Sequence, residues 1–251
     1  MTEGEDRIYK QRMERIQAFQ FDARVAEVFD NMIRRSVPGY ATVEEMIELL
    51  TRRYALAGTC LYDLGCSLGT GLGAMRRGAQ GRPVSLIGVD TSAPMLARCQ
   101  ELLELQATAS TEVLPAAQLI CADARTVPLA PASVVIMNFT LQFVSLPDRL
   151  PLLRRIHEAL VPGGVLILSE KLSFEPEQRT WLEGLHDEFR KGNGYTELEL
   201  SQKRAALEDV LFPEPAEVHL TRLTEAGFTQ RTPWFQCLNF ASFLAMKSPK
   251  G

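Results

Sequence analysis

The stretch Tyr62-Asp63-Leu64-Gly65-Cys66-Ser67-Leu68-Gly69-Thr70-Gly71 runs a short apolar strand into a glycine-rich turn and then into the start of a helix. Few folds accommodate such a junction. At Gly65 and Gly69 the missing Cβ lets the backbone turn sharply and approach a ligand closely, and the helix that follows offers unpaired N–H groups to a polar or anionic group. Tight strand-to-helix packing uses the same glycines, so the turn by itself leaves a ligand cradle and a packing role both open.

The next strand, Val84-Ser85-Leu86-Ile87-Gly88-Val89-Asp90, ends in an acid about 20 residues past the loop, the spacing at which a carboxylate meets a ribose diol. Asp90 also stands where it can cap the helix of Thr91-Ser92-Ala93-Pro94-Met95-Leu96, and the two roles are compatible. A third strand, Gln118-Leu119-Ile120-Cys121-Ala122, delivers Asp123, and a fourth, Val134-Val135-Ile136-Met137, delivers Asn138. Polar residues therefore recur at successive strand ends, where open parallel sheets bind ligands.

With 251 residues, 46% hydrophobic, and no Pro/Gly/Ser linker, repeat or low-complexity tract, the chain is expected to form one α/β domain over residues 21–251. Residues 1–20 are highly charged and read as a flexible tail without the apolar core of a signal peptide. No apolar run reaches membrane-spanning length, so neither secretion nor membrane association is expected. The cysteines Cys60, Cys66, Cys99, Cys121 and Cys237 are odd in number and lack metal-site spacing, which suits reduced thiols in a cytoplasm and no metal. Cys66 reads as a small side chain tolerated in the turn. A net charge of −4 argues against direct nucleic-acid binding and for a small-molecule substrate. Arg34-Arg35, Arg76-Arg77 and Arg154-Arg155 read as solvated helix faces.

The apolar spacing of Asp22 to Ser36 predicts a helix, and Thr42-Val43-Glu44-Glu45 matches a capping box opening a second helix through Leu50. Strands and helices then alternate from Leu61, with helices over about Ala93–Gln106 and Asp148–Leu160. Val161-Pro162-Gly163-Gly164 stops the latter and feeds the strand Val165–Ser169. A run from Gly227-Phe228-Thr229 and another over Asn239–Met246, with Trp234-Phe235-Gln236 between them, predict an antiparallel pair closing an otherwise parallel sheet.

An acid before a Gly-x-Ser/Gly-x-Gly turn, acids after strands two and three, and Leu-x-Pro-Gly-Gly before strand five together resemble the class I S-adenosylmethionine-dependent methyltransferases. That resemblance implies a Rossmann-like fold: a mostly parallel seven-stranded sheet with a terminal antiparallel hairpin and N-terminal helices. Ser67 stands where many members carry a second glycine.

Phe21-Asp22, Val25-Ala26-Glu27-Val28-Phe29, Arg35-Ser36-Val37-Pro38-Gly39-Tyr40, Asn138-Phe139-Thr140-Leu141-Gln142-Phe143 and Gly194-Tyr195 through Ser201-Gln202-Lys203-Arg204 are similar to the carboxy-S-adenosyl-L-methionine synthase family. The resemblance covers nearly the whole chain beyond residue 20. It implies a homodimeric enzyme that converts S-adenosyl-L-methionine and prephenate to carboxy-S-adenosyl-L-methionine and phenylpyruvate. The product would go to a separate tRNA carboxymethyltransferase acting on a wobble uridine. Conventional methyl transfer to a small molecule or tRNA is the alternative for the same pocket.

The implied chemistry is coherent, because a sulfonium acidifies its methyl group and an enclosed site keeps the resulting ylide and carbon dioxide away from water. His157, His186 and His219 lie outside every motif and read as surface or packing residues, not a catalytic set. On the helix opened by Thr196-Glu197-Leu198-Glu199, spacing alone favours a snorkelling Arg204 or its ion pair with Glu208. The resemblance implies instead that Arg204 binds the new carboxylate, for which its planar fork is suited. It further implies Tyr40 beside the cofactor, Gly65, Cys66 and Ser67 along the methionine and ribose, and Asp90 with Thr91 at the ribose hydroxyls. Asp123 and Ala124 would flank the adenine, Asn138 would face the sulfonium, and Arg35 is a candidate for a prephenate carboxylate.

Overall fold

A computed structural model describes residues 4–110 and 113–249. Two helices, α1 (Ala23–Ser36) and α2 (Tyr40–Tyr54), precede a sheet of seven strands. These are β1 (Cys60–Leu64), β2 (Ser85–Asp90), β3 (Ala117–Cys121), β4 (Ala132–Asn138), β5 (Leu160–Lys171), β6 (Gln230–Cys237) and β7 (Phe240–Met246), in the order β3-β2-β1-β4-β5-β7-β6. Only β7 runs against its neighbours, and it pairs with both β5 and β6. Between the strands lie α3 (Thr70–Gly78), α4 (Ala93–Ala109) and α5 (Leu146–Ala159), and after β5 come α6 (Pro176–Gly192), α7 (Glu197–Leu207) and α8 (Ala216–Glu225). The expected Rossmann-like class I architecture is the observed one.

The central strands are apolar on both faces, as a sheet covered by helices on either side requires. Along β4, Val134 and Ile136 pack with Leu61, Leu72 and Ile47 under α2 and α3, while Val135 and Met137 pack with Leu64, Leu152 and Ile156 under α5. Alternation along β1 puts Tyr62 and Leu64 on the α5 side, which leaves Asp63 on the face that α3 covers.

Helix starts differ informatively from expectation. Asp22 caps α1, its Oδ1 accepting the Val25 N–H at 3.0 Å. α2 begins ahead of the Thr42 box, because Gly39 adopts φ 77° and starts the helix at Tyr40, which leaves Thr42 inside it. Ser92, not Asp90, caps α4 by accepting the Met95 N–H. Trp234-Phe235-Gln236 belong to β6 rather than to the turn before β7. Arg76, expected on a solvated face, is buried and donates to the carbonyls of Pro115 and Leu103.

Residues 4–20 were expected to form a tail apart from the domain. Instead they lie on it. Tyr9 and Phe19 are buried. Gln202 of α7 donates to the Tyr9 and Gln11 carbonyls and accepts the Met13 N–H at 2.7 Å, and the Phe19 N–H reaches the Ala206 carbonyl at 2.8 Å. Tyr195 donates its hydroxyl to buried Asp6 at 2.5 Å. Aromatic burial outweighs the charge of this segment, whose charged side chains other than Asp6 remain outside.

Candidate active site

The carboxyl ends of β1, β2, β4 and β5 open onto a cavity of about 570 Å³, within the size range of nucleoside-sized ligand sites. Tyr40, Gly65, Cys66, Ser67, Asp90, Thr91, Asp123, Ala124 and Asn138 all line it. Arg204 does not.

Its floor is the turn after β1. Gly65 adopts φ 85°, and a Cβ there would lie 2.3 Å from Thr140, so only glycine fits both the angle and the space. Ser67 (φ 50°) and Phe139 (φ 60°) are left-handed without being glycine, and both line the cavity. Backbone strain is thus concentrated where a ligand would be gripped. The Ser67 N–H donates to Asp90 Oδ2 at 2.8 Å while Asp90 Oδ1 accepts the Ser92 N–H at 2.9 Å, so the acid that ends β2 also shapes the loop after β1.

Asp63 sits under the first turn of α3, where burial and the neighbouring Asp90 carboxylate push its pKa up to about 8 against the pull of the Leu72 N–H. Its Oδ1 and the Asn138 Oδ1 are buried without a hydrogen-bond partner. Two orphaned acceptors beside a glycine cradle suit a ligand that brings its own donors, such as an amino acid ammonium and a ribose. A hydrogen bond to Cys99, together with burial, raises the Cys66 thiol far from thiolate formation, so Cys66 is a packed turn residue. Tyr40 is buried with its ring 6.1 Å from that of Phe139. Asp123 accepts the Arg125 N–H at 2.8 Å and pairs with its guanidinium, which holds its carboxyl below the usual range.

Opposite the cradle, Phe21, Phe29, Phe139, Phe143 and Phe240 form an aromatic wall. Beside it stand residues that the sequence reading missed: Lys171 at the end of β5, His186 and Arg190 on α6, and Lys203 on α7. Burial and nearby Arg190 hold the His186 pKa down at about 3, so the neutral ring donates Nε2–H to the Ser36 carbonyl at 2.7 Å. Burial lowers Lys203 to about 8, although it donates to Ser36 Oγ at 3.0 Å and has Asp6 Oδ2 at 3.9 Å. Lys171 is lowered by burial and by Arg190.

Arg204, by contrast, is 62% exposed and pairs with Asp187 at 2.7 Å, while Asp187 also pairs with the cavity residue Arg190. Arg204 therefore stands behind the lining, one ion pair away from it, and its expected pair with Glu208 does not form. Arg35 is also outside the lining: it donates to the Asn193 and Asp6 carbonyls and lies 4.0 Å over the Tyr195 ring, fastening the N-terminal segment. Among the described residues no group of three or more His, Cys, Asp and Glu is placed to hold a metal, and no helix is long and apolar enough to cross a membrane.

Fold and cradle together define a protein of the S-adenosylmethionine-dependent methyltransferase class, and a methyltransferase domain family matches residues 62–168. Among solved structures, an O-methyltransferase family protein from Burkholderia thailandensis superposes with a TM-score of 0.61 at 16% identity, covering 92% of this chain and 61% of that one. Human N-acetylserotonin methyltransferase, solved with S-adenosylmethionine, gives 0.58 at 14% identity over 90% and 55% of the two chains. Much nearer in sequence are the carboxy-S-adenosyl-L-methionine synthases of Pseudomonas putida, 49% identical over 247 residues, and Geobacter metallireducens, 49% identical over 248. Each alignment spans 98% of this chain and 100% of the relative. The chain belongs to the carboxy-S-adenosyl-L-methionine synthase family and is a transferase.

Proposed function

We propose that this enzyme converts S-adenosyl-L-methionine and prephenate to carboxy-S-adenosyl-L-methionine and phenylpyruvate. The carrying observation is that one cavity holds both the nucleoside cradle of β1 and β2 and a wall of desolvated cations beside aromatic rings. A methyl transferase acting on a neutral acceptor has no use for that wall. A dianionic co-substrate with a ring does.

The reaction balances without an external oxidant or base. Prephenate breaks the bond to its ring carboxylate, the electron pair makes the ring aromatic, and the ring hydroxyl leaves as hydroxide. Hydroxide takes one methyl proton to give water, and the methyl carbon forms its new bond to the carbon dioxide. The chain's part is to hold both substrates and exclude water: the phenylalanine wall keeps the gas and the deprotonated carbon from solvent. With its proton held by the folded state below about pH 8, Asp63 presents a neutral acid until a cationic ligand draws the proton off.

Arg204 is assigned to the new carboxylate by family resemblance. Its charge is felt at Lys171, and exchanging Asp187 for the product carboxylate would bring its fork to the cavity edge. A homodimer in the cytoplasm, delivering its product to a tRNA wobble-uridine carboxymethyltransferase, completes the proposal. The test is incubation with both substrates and no nucleic acid, followed by mass analysis. A nucleoside heavier by one carboxyl group together with phenylpyruvate supports the reading, and untouched prephenate with methylated tRNA overturns it.

A further inference from the structure

We infer that Lys171 and Arg190 form a carboxylate-binding subsite that holds the side-chain carboxylate of the co-substrate, the one retained in the 2-oxo acid product. The inference rests on the function proposed above, and it assigns residues that neither the sequence motifs nor the family names single out.

The two residues reach the cavity from different elements. Lys171 is the last residue of β5, fixed by its register opposite Phe240 of β7 and by its own N–H, which donates to Gln142 Oε1 at 2.9 Å. That backbone anchoring delivers the side chain at the carboxyl edge of the sheet, beyond Ser169, the strand partner of Asn138. Its ammonium makes no hydrogen bond or ion pair with any described residue, although the residue is half-buried and desolvation lowers its pKa. Arg190 comes from the last turns of α6. One of its terminal nitrogens pairs with Asp187, while its Nε is buried without a partner.

Charge counting points the same way. Lys171, Arg190 and Lys203 share one wall, and the carboxylates near them are Asp187, shared between Arg190 and Arg204, Asp6, already bonded to Tyr195, and Glu183 and Glu199, neither of which forms an ion pair with any of the three. Lys171 is therefore left without a paired anion, and Arg190 shares its one carboxylate with Arg204. A partly desolvated cation without a partner costs free energy in the ligand-free protein, and an anion entering between Lys171 and Arg190 offsets that cost.

Prephenate carries two carboxylates, and only one of them can be held this way. A cation on the ring carboxylate would stabilise it in the ground state and oppose its loss as carbon dioxide. A cation on the side-chain carboxylate stabilises ground state and transition state alike, because that group is unchanged by the reaction. Lys171 and Arg190 therefore orient the co-substrate by the end that stays, which leaves the departing carboxylate to the phenylalanine wall and the methyl carbon. Selectivity for 2-oxo acids with an aromatic or dienyl ring follows from the same division: cations for the acid end, rings for the ring.

The experiment uses phenylpyruvate and the full chain saturated with S-adenosylmethionine, titrated by calorimetry beside steady-state kinetics on prephenate. Lys171→Met should weaken phenylpyruvate binding at least tenfold and raise the KM for prephenate by a similar factor, with kcat nearly unchanged, because binding common to ground and transition states is lost. S-adenosylmethionine affinity should stay the same, which also reports that the variant is folded, and Lys171→Arg should recover much of the loss. Phenylacetone, which lacks the carboxylate, should not distinguish wild type from Lys171→Met. Unchanged phenylpyruvate affinity in Lys171→Met, or a fall in kcat with KM intact, overturns the subsite. The function itself fails separately: wild-type protein that binds phenylpyruvate through Lys171 yet forms no carboxylated nucleoside keeps the subsite and loses the reaction.

Discussion

The Ser67 N–H lies 2.8 Å from Asp90 Oδ2, so the carboxylate that ends β2 is already bonded to the turn after β1 before any ligand arrives. One acid thus sets the loop and presents its remaining lone pairs to the cavity. Asp90→Ala is expected to weaken S-adenosylmethionine binding by about 1–3 kcal/mol, the cost of stranding hydrogen-bond partners. Asp90→Asn keeps an acceptor and should lose less. Calorimetric affinities of the two variants check this, and equal affinity for Asp90→Ala and wild type would remove Asp90 from the ribose site.

Two buried acids make stability depend on pH in an unusual direction. Burial raises Asp63 and Glu170 to about 8 each, so between pH 6.5 and 8 the folded chain holds protons that the unfolded chain has released. Stability therefore falls as pH rises through this window, by up to about 1.4 kcal/mol per pH unit for each acid. Lys203 acts in the opposite sense, since its folded pKa of about 8 lies below the ordinary 10.5, and stability recovers as pH rises from about 8 toward 10.5. Urea midpoints should show a trough near pH 8, and Asp63→Asn should flatten the descending limb by about half. A curve rising steadily from pH 6.5 to 8 would contradict the burial of these carboxyls.

Arg204 separates carboxylate capture from simple nucleoside binding. S-adenosylmethionine has no carboxylate on its methyl carbon, so Arg204→Ala should leave its affinity nearly unchanged while product affinity falls, by about 1 kcal/mol for a guanidinium this exposed. Arg204→Lys should restore only part, because a point charge does not reproduce a bidentate fork. Side-by-side titration of the two nucleosides decides. Equal losses would mean that Arg204 acts only through Asp187 and Arg190.

Gly65→Ala tests the cradle from below. A Cβ there meets Thr140 at 2.3 Å and the residue sits at φ 85°, so both the angle and the neighbour oppose the change. The strained backbone alone costs about 1–3 kcal/mol. Thr140→Ala should restore part of the stability lost by Gly65→Ala in thermal unfolding, because it relieves the clash and leaves the angle. Additive losses in the double variant would show that the two side chains do not meet.

The parts of the site legible in the sequence are those that one strand and the turn after it specify. Gly65, Asp90, Asp123 and Asn138 follow from reading where strands end, because a parallel sheet brings its carboxyl ends to one edge, whereas Asp63, Ser67 and Thr91 are singled out by the family resemblance. Lys171 carries the same signal, a Glu170-Lys171 pair closing an apolar run, but the apolar pattern ends the strand at Ser169, two residues short of the observed end of β5. Arg190 and Lys203 had no such signal: they enter from α6 and α7, whose docking depends on contacts across more than a hundred residues. The Thr42 box failed because Gly39 started the helix sooner. In residues 4–20 the density of charge hid the aromatic positions Tyr9 and Phe19, which determine where that segment lies.

Met13 and Gln202 are 189 residues apart in sequence yet share a 2.7 Å hydrogen bond, and Phe19 reaches Ala206 in the same seam. Closing so long a loop comes late in any folding sequence, after the local strand–helix units have formed. During synthesis the glycine cradle can take shape on the emerging chain, whereas the part of the cavity lining that Phe19 supplies must wait until α7 has been made. A nascent chain would thus touch its nucleoside long before it can retain it, and tight retention becomes a sign that residues 4–20 have met α7.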